Sequence, residues 1–183
     1  AHHMGRFFAI RSFLNNTNIR KSILIMRHIF ILRHCEYDDR SGAGPNFDCH
    51  LSPEGQSHAA AIGQTMQDNN IQPDLIYCSG AVRTRETLDA LLQSIDRPEI
   101  IYNDEIYGCM PGELLALIQD SSEQYKNIMI VGHNPAMHGI VQILGQNSEA
   151  KYLKEIAYYY GAGTLCSFTC NTAQWAEANP ANC

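Results

Sequence analysis

The chain has 183 residues, 45% hydrophobic and 17% charged, proportions of a globular protein long enough to bury one proper core. It carries 13 Lys and Arg against 19 Asp and Glu, a formal charge of −6, and no apolar stretch approaches the roughly 18 residues of a membrane span. Five of the basic residues (Arg6, Arg11, Arg20, Lys21 and Arg27) and none of the acids fall in residues 5–27, so the rest of the chain stands at −11, which argues against nonspecific nucleic-acid binding.

Ala1-His2-His3-Met4 reads as an expression-tag scar and the following residues as a basic upstream extension, the alternative being a targeting presequence, whose composition they share. Residues 1–27 are therefore set aside, with Met26 as the natural start and one domain over 28–183. The first expected strand is His28–Arg33, a short apolar run followed by a polar loop from Cys35 to His50. Ser52 is a candidate N-cap and Pro53 fits the first helical position, so a helix opens there, with Ala59, Ala60, Ile62, Gly63 and Met66 on its apolar face. The next strand is Leu75-Ile76-Tyr77-Cys78. A helix follows from Ala81 to Ser94, then a strand over Glu99–Tyr102 and a helix near Gly112–Asp120. Ile128–Val131 is a further strand, followed by a helix to about Leu144. Gly163 to Thr169 reads as a last strand, in antiparallel orientation. Strands and helices alternate, so the expected class is α/β, a three-layer α/β/α sandwich on a mostly parallel sheet.

Seven cysteines are present, an odd number without a CxxC pair, and no secretory signal is read ahead of them. This predicts free thiols and a cytoplasmic protein. Cys166 and Cys170 are expected in the core. His58 and His138 are expected to be structural, and Tyr158-Tyr159-Tyr160 to pack near a strand start.

Three expected strands end in polar groups. Arg33-His34 closes the first, Ser79 closes the second with Arg83 one turn into the next helix, and His133 closes the Ile128–Val131 run. In open α/β sheets ligands bind beyond the carboxyl ends of the strands. An arginine fork suits a phosphate, and the helix starts near Ala81 and Asn134 offer further N–H donors. Arg83 and Arg85, two residues apart on a helix, face different ways, and Arg83 lies nearer the strand end.

The ordered elements Leu32-Arg33-His34, Leu51-Ser52-Pro53-Glu54-Gly55, Ser79-x3-Arg83-x3-Thr87 and Gly132-His133-Asn134-Pro135 resemble the histidine phosphatase superfamily, the phosphoglycerate mutase-like group. Without an inserted cap, the chain is most similar to the small SixA-type phosphohistidine phosphatases. The resemblance implies that His34 is the nucleophile and forms a phosphohistidine intermediate, its other ring nitrogen donating to a backbone carbonyl or similar acceptor. It implies that Arg33, Arg83 and His133 bind the phosphoryl oxygens, with Ser79 and Asn134 beside the substrate, and that neither metal nor cofactor is required.

The chain departs from the family pattern at Cys35, where glycine is usual, at Cys49-His50, where Arg-Pro is usual, and at Asn134, where some branches carry Asp. Cys35 would then be a thiol beside the phosphate pocket, open to oxidation. Glu105 is the candidate general acid, with Glu36 and Asp38 as alternatives. An enzyme poor in acids suits phosphohistidine, whose imidazole leaves readily once protonated, better than an alkyl ester. The expected substrate is phosphohistidine on a protein such as a phosphotransfer domain of a signalling relay. The rivals are a small phosphomonoester hydrolase or mutase, and a non-catalytic phosphate-binding module.

Overall fold

The computed structural model describes residues 7–10, 26–39 and 46–183. Its six strands are β1 Phe7–Ile10, β2 Met26–Arg33, β3 Leu75–Cys78, β4 Glu99–Tyr102, β5 Asn127–Gly132 and β6 Leu165–Asn171. They form one sheet in the order β1-β6-β2-β5-β3-β4. Strands β2, β5, β3 and β4 run parallel. Strand β6 is antiparallel to β2 and parallel to β1, so the expected reversal of the last strand is present.

The apolar runs are continuous because the central strands are buried on both faces. Ile29, Ile31, Tyr77, Ile128 and Ile130 pack toward α3 Pro111–Gln119 and α4 Ala136–Leu144. Phe30, Leu32, Ile76, Met129 and Val131 pack toward α1 Pro53–Asp68 and α2 Val82–Leu91. Helix α1 starts where expected: Ser52 Oγ accepts the Gly55 N–H at 3.0 Å, with Pro53 in the first turn. A fifth helix, α5 Ala150–Tyr158, was not anticipated. It lays Tyr152 and Leu153 against the α4 side of the core.

The boundary expected at residue 28 falls inside the sheet. Met26 and Arg27 belong to β2, and Phe7–Ile10, in the segment set aside, pairs with Leu165–Phe168. The basic composition of this segment masks the four-residue apolar run Phe7-Phe8-Ala9-Ile10, to which β6 offers an edge to pair with. The suspected tag residues lie outside the described residues. The expectation of seven free thiols is also corrected: Cys170 and Cys183 form a disulfide, while Cys35, Cys49, Cys78, Cys109 and Cys166 are free. The sequence gives no hint of the pair, because the closing tail is positioned by contacts far along the chain. Arg27, almost fully buried, donates to the Tyr125 carbonyl at 2.8 Å, to Ala173 O and to Glu123, and lies over the Trp175 ring. No helix among the described residues is long and apolar enough to cross a membrane.

Candidate active site

The sheet register brings the predicted residues together. Arg33 pairs with Gly132 across β2 and β5, and Cys78 pairs with Val131 across β3 and β5. The residues that follow, His34, His133 and Ser79, therefore emerge side by side at one sheet edge. The His34 and His133 ring centroids are 5.1 Å apart. The His34 N–H donates to Gly132 O at 3.0 Å, and the Ser79 N–H donates to Val131 O at 3.0 Å.

Arg83, the second residue of α2, reaches across this edge. Its Nε is 3.3 Å from His34 Nε2 and its Nη2 is 3.0 Å from His133 Nδ1. Its Nη1 donates to the Asn46 carbonyl. A guanidinium only donates, so both histidine nitrogens facing it must carry lone pairs. This assigns the tautomers: His34 Nδ1–H donates to the Cys35 carbonyl at 2.7 Å, and His133 Nε2–H donates to Ser79 Oγ at 2.9 Å. Burial, aided by Arg83 and Arg33, lowers the His34 pKa to about 4; burial, His34 and the same arginines lower that of His133 to about 3. Both rings are neutral near pH 7. Arg33 donates through Nη1 to Tyr160 O at 2.9 Å. Its Nε is buried and has no hydrogen-bond partner among the described residues, a donor open to an anion. Arg85 lies over Tyr102 instead, so Arg83 is the helix arginine of this cluster.

Other predicted residues take different places. Ser79 orients His133. Asn134 is occupied at both ends of its amide, accepting from the His138 N–H in the first turn of α4 and donating to Tyr160 O at 2.8 Å, which ties the two segments together. The α2 start offers less than expected, because the Val82 N–H is spent on Phe47 O. Glu105 is exposed and lines a separate cleft with Cys109, Glu113 and Leu117. The carboxylate on the histidine side of that turn is Asp104: a side chain at Gly80, next to Ser79, would stand 1.8 Å from Asp104 Oδ1. Glu36 is exposed, and the Asp38 N–H donates to His50 O.

Cys35 is not the open thiol expected. It is fully buried among Leu32, Leu51 and Ala59, and burial pushes its pKa up to about 12. Its backbone has no positive φ, and its N–H donates to Thr87 Oγ1, which donates to Arg83 O. Cys35 thus follows the path expected of glycine in an ordinary conformation. His50 pairs with Glu86 at 2.6 Å. Among the described residues no three of His, Cys, Asp and Glu stand together as metal ligands would.

Sequence reasoning missed several neighbours. Tyr37 stands edge-on to His34, and Tyr107 edge-on to His133 at 4.9 Å. Gly163 sends its N–H to the carbonyls of both Arg33 and His34, at 3.2 and 3.0 Å. Only loop aromatics and a lone glycine marked these positions in the sequence.

Residues 29–113 match the family model of the histidine phosphatase superfamily, branch 1. A solved structure from Agrobacterium tumefaciens, assigned as the phosphohistidine phosphatase SixA, superposes with a TM-score of 0.69 at 27% identity, covering 77% of this chain and 90% of that one. A second SixA assignment, from Nakamurella multipartitia, gives 0.73 at 25% identity, covering 86% and 91%. An uncharacterized protein of Mycobacterium tuberculosis is 26% identical over 135 residues, which is 73% of this chain and 83% of the relative.

Proposed function

We propose that this chain, which belongs to the histidine phosphatase superfamily, is a metal-independent phosphatase acting on phosphohistidine through a phosphorylated His34. The observation that carries this reading is the tautomer of His34. Its proton sits on Nδ1, given to the Cys35 carbonyl, and its Nε2 lone pair faces the Arg83 edge.

An incoming phosphoryl group takes the Nε and Nη2 donors of Arg83 and the open Nε of Arg33. Nε2 of His34 then bonds to phosphorus as the bond from phosphorus to the substrate's imidazole nitrogen breaks. If the other nitrogen of that imidazole is protonated, it leaves as neutral imidazole and needs no acid from the enzyme. Phosphorylated His34 still carries its Nδ1–H, so it too leaves as a neutral ring when water attacks phosphorus. The proton released by that water goes to the phosphate product or to solvent. His133 donates to a phosphoryl oxygen through Nδ1 only after taking a proton there, which the arriving anion favours. Arg33 and Arg83 supply the fixed charge. We assign the substrate as phosphohistidine on a protein, in the cytoplasm, consistent with the five free cysteines though not with the disulfide.

A second reading, phosphomonoester hydrolysis, is favoured by one observation: Asp104, not Glu105, lies against the Ser79-Gly80 turn. An alkoxide needs a proton, and in this reading Asp104 gives it.

The test is phosphate release from a phosphohistidine protein and from p-nitrophenyl phosphate by wild type, His34→Ala and Asp104→Asn. The wild type is expected to turn over phosphohistidine and to show acid-labile phosphate on the quenched enzyme, and His34→Ala to do neither. Equal inactivity of wild type and His34→Ala on both substrates would return the chain to a phosphate-binding module. Asp104→Asn should slow ester hydrolysis alone, and equal slowing of both substrates would contradict the acid-free departure of imidazole; faster wild-type turnover of the ester than of phosphohistidine favours the second reading.

A further inference from the structure

Arg83 is fixed at more points than its hydrogen bonds explain. Its guanidinium carbon lies 5.4 Å from the centre of the Tyr37 ring and 5.5 Å from that of Tyr107. Each ring also abuts one histidine, Tyr37 edge-on to His34 at 5.9 Å and Tyr107 edge-on to His133. The rings are themselves held: the edge contact of Phe47 with Tyr107 is 5.2 Å, and the backbone of Tyr37 bridges to Leu51. Among the described residues no carboxylate pairs with Arg83, unlike Arg27, whose partner is Glu123. A carboxylate would hold the cation but consume the N–H groups a phosphate needs. An aromatic face attracts the planar cation and leaves those groups free.

We propose that Tyr37 and Tyr107 are positioning residues, which fix the plane of the Arg83 guanidinium so that its Nε–Nη2 edge meets two phosphoryl oxygens side-on. Nη1 is already tied to Asn46 O. With that arm anchored and its carbon over two rings, the guanidinium has one edge left, and that edge points at the nitrogens of His34 and His133. A phosphoryl group entering there replaces the two histidine lone pairs as acceptor and meets the nucleophile at the same time. The inference rests on the proposed phosphate site, not on the identity of the substrate.

The experiment measures the dissociation constant of inorganic phosphate by calorimetry, with orthovanadate inhibition as a check, for Tyr37→Leu, Tyr107→Leu and the corresponding Phe variants. Each is also melted to show that it is folded. Each Leu variant should bind phosphate roughly threefold to tenfold more weakly, the range of one cation–π contact, while its melting temperature stays near wild type. Each Phe variant, which keeps the ring, should stay within about twofold of wild type. Folded Leu variants that bind phosphate as wild type does overturn the proposal. So do Phe variants that lose as much as Leu, because the hydroxyl and not the ring would then act. If Tyr107→Leu does not fold, Tyr37→Leu decides alone by the same criteria. Wild type that binds phosphate but turns over no phosphohistidine leaves this inference standing and removes the proposed activity, so the two failures are distinct.

Discussion

His34 keeps a lone pair on Nε2 because its proton, on Nδ1, is given to a carbonyl that has none to return. The sequence predicted that kind of acceptor, and the Cys35 carbonyl supplies it. Burial, with Arg83 and Arg33, then holds the imidazole pKa at about 4, against an ordinary 6.5. A histidine with a lowered folded pKa is protonated first in the unfolded chain. Its neutral-state advantage is fully present above pH 6.5 and is lost as pH falls toward 4, by roughly 3 kcal/mol for His34 alone. Urea midpoints should therefore be flat above pH 6.5 and fall below it, and His34→Asn should reduce the slope. Because kcat/KM reports the free enzyme, the acid limb due to His34 should also lie well below 6.5; a limb centred at 6.5 would mean a hydrated ring. Cys35 shows what the sequence could not reveal. Its place beside the pocket suggested a reactive thiol, but reactivity depends on burial, and the burial comes from Leu51 and Ala59 on elements downstream.

Strand ends were legible and loops were not. Arg33, His34, Ser79 and His133 could be placed because short apolar runs end at them, and parallel pairing aligns those ends at one edge. Helix α5 was within reach, since Tyr152 and Leu153 mark an apolar side between charged residues. The contacts of Asn46, Tyr37, Tyr107 and Tyr160 were not, because they join irregular segments distant in sequence. The same holds for Asp104 and Glu105: neighbours in one turn, one lies against Gly80 and the other lines a cleft with Cys109 and Glu113, and spacing alone cannot choose between them. Gly163 is the sharpest case. Its φ is +68°, in the left-handed region, and a methyl group there would stand 2.2 Å from His58 Cε1. Gly163→Ala should cost about 1–2 kcal/mol from the backbone alone, with the His58 clash added. It should lower kcat as well, because the Gly163 N–H holds the carbonyls of Arg33 and His34. Urea melts and p-nitrophenyl phosphate kinetics measure both effects. Adding His58→Ala should restore the clash part and leave the backbone part; an alanine variant as stable as wild type contradicts the account.

Across the whole molecule the sheet separates chemistry from closure. Strand β2 carries Arg33 at the reactive edge and Arg27 six residues away, about 20 Å along an extended chain. Cys170 pairs with Arg27 in the β2–β6 register, so the disulfide to Cys183 closes the end of the sheet opposite the histidines. There it works beside Arg27, Glu123 and Trp175, which pin the same tail through a buried cation. A bridge between residues 13 apart removes loop entropy from the unfolded chain, a contribution of about 3 kcal/mol in the chain-entropy account. Reduction by dithiothreitol, or Cys183→Ser, should lower the unfolding free energy by roughly that amount. At a temperature where the protein stays folded, kcat should be unchanged, because the bridge lies at the Arg27 end of β2 and His34 follows the other end. Urea melts with and without reductant, paired with phosphate-release rates, separate the two quantities. A fall in kcat that follows the loss of the bridge in fully folded protein would show that the ends are coupled through β2. In a reducing compartment the bridge would open, and the enzyme would work at the lower stability that Arg27 and Trp175 alone sustain.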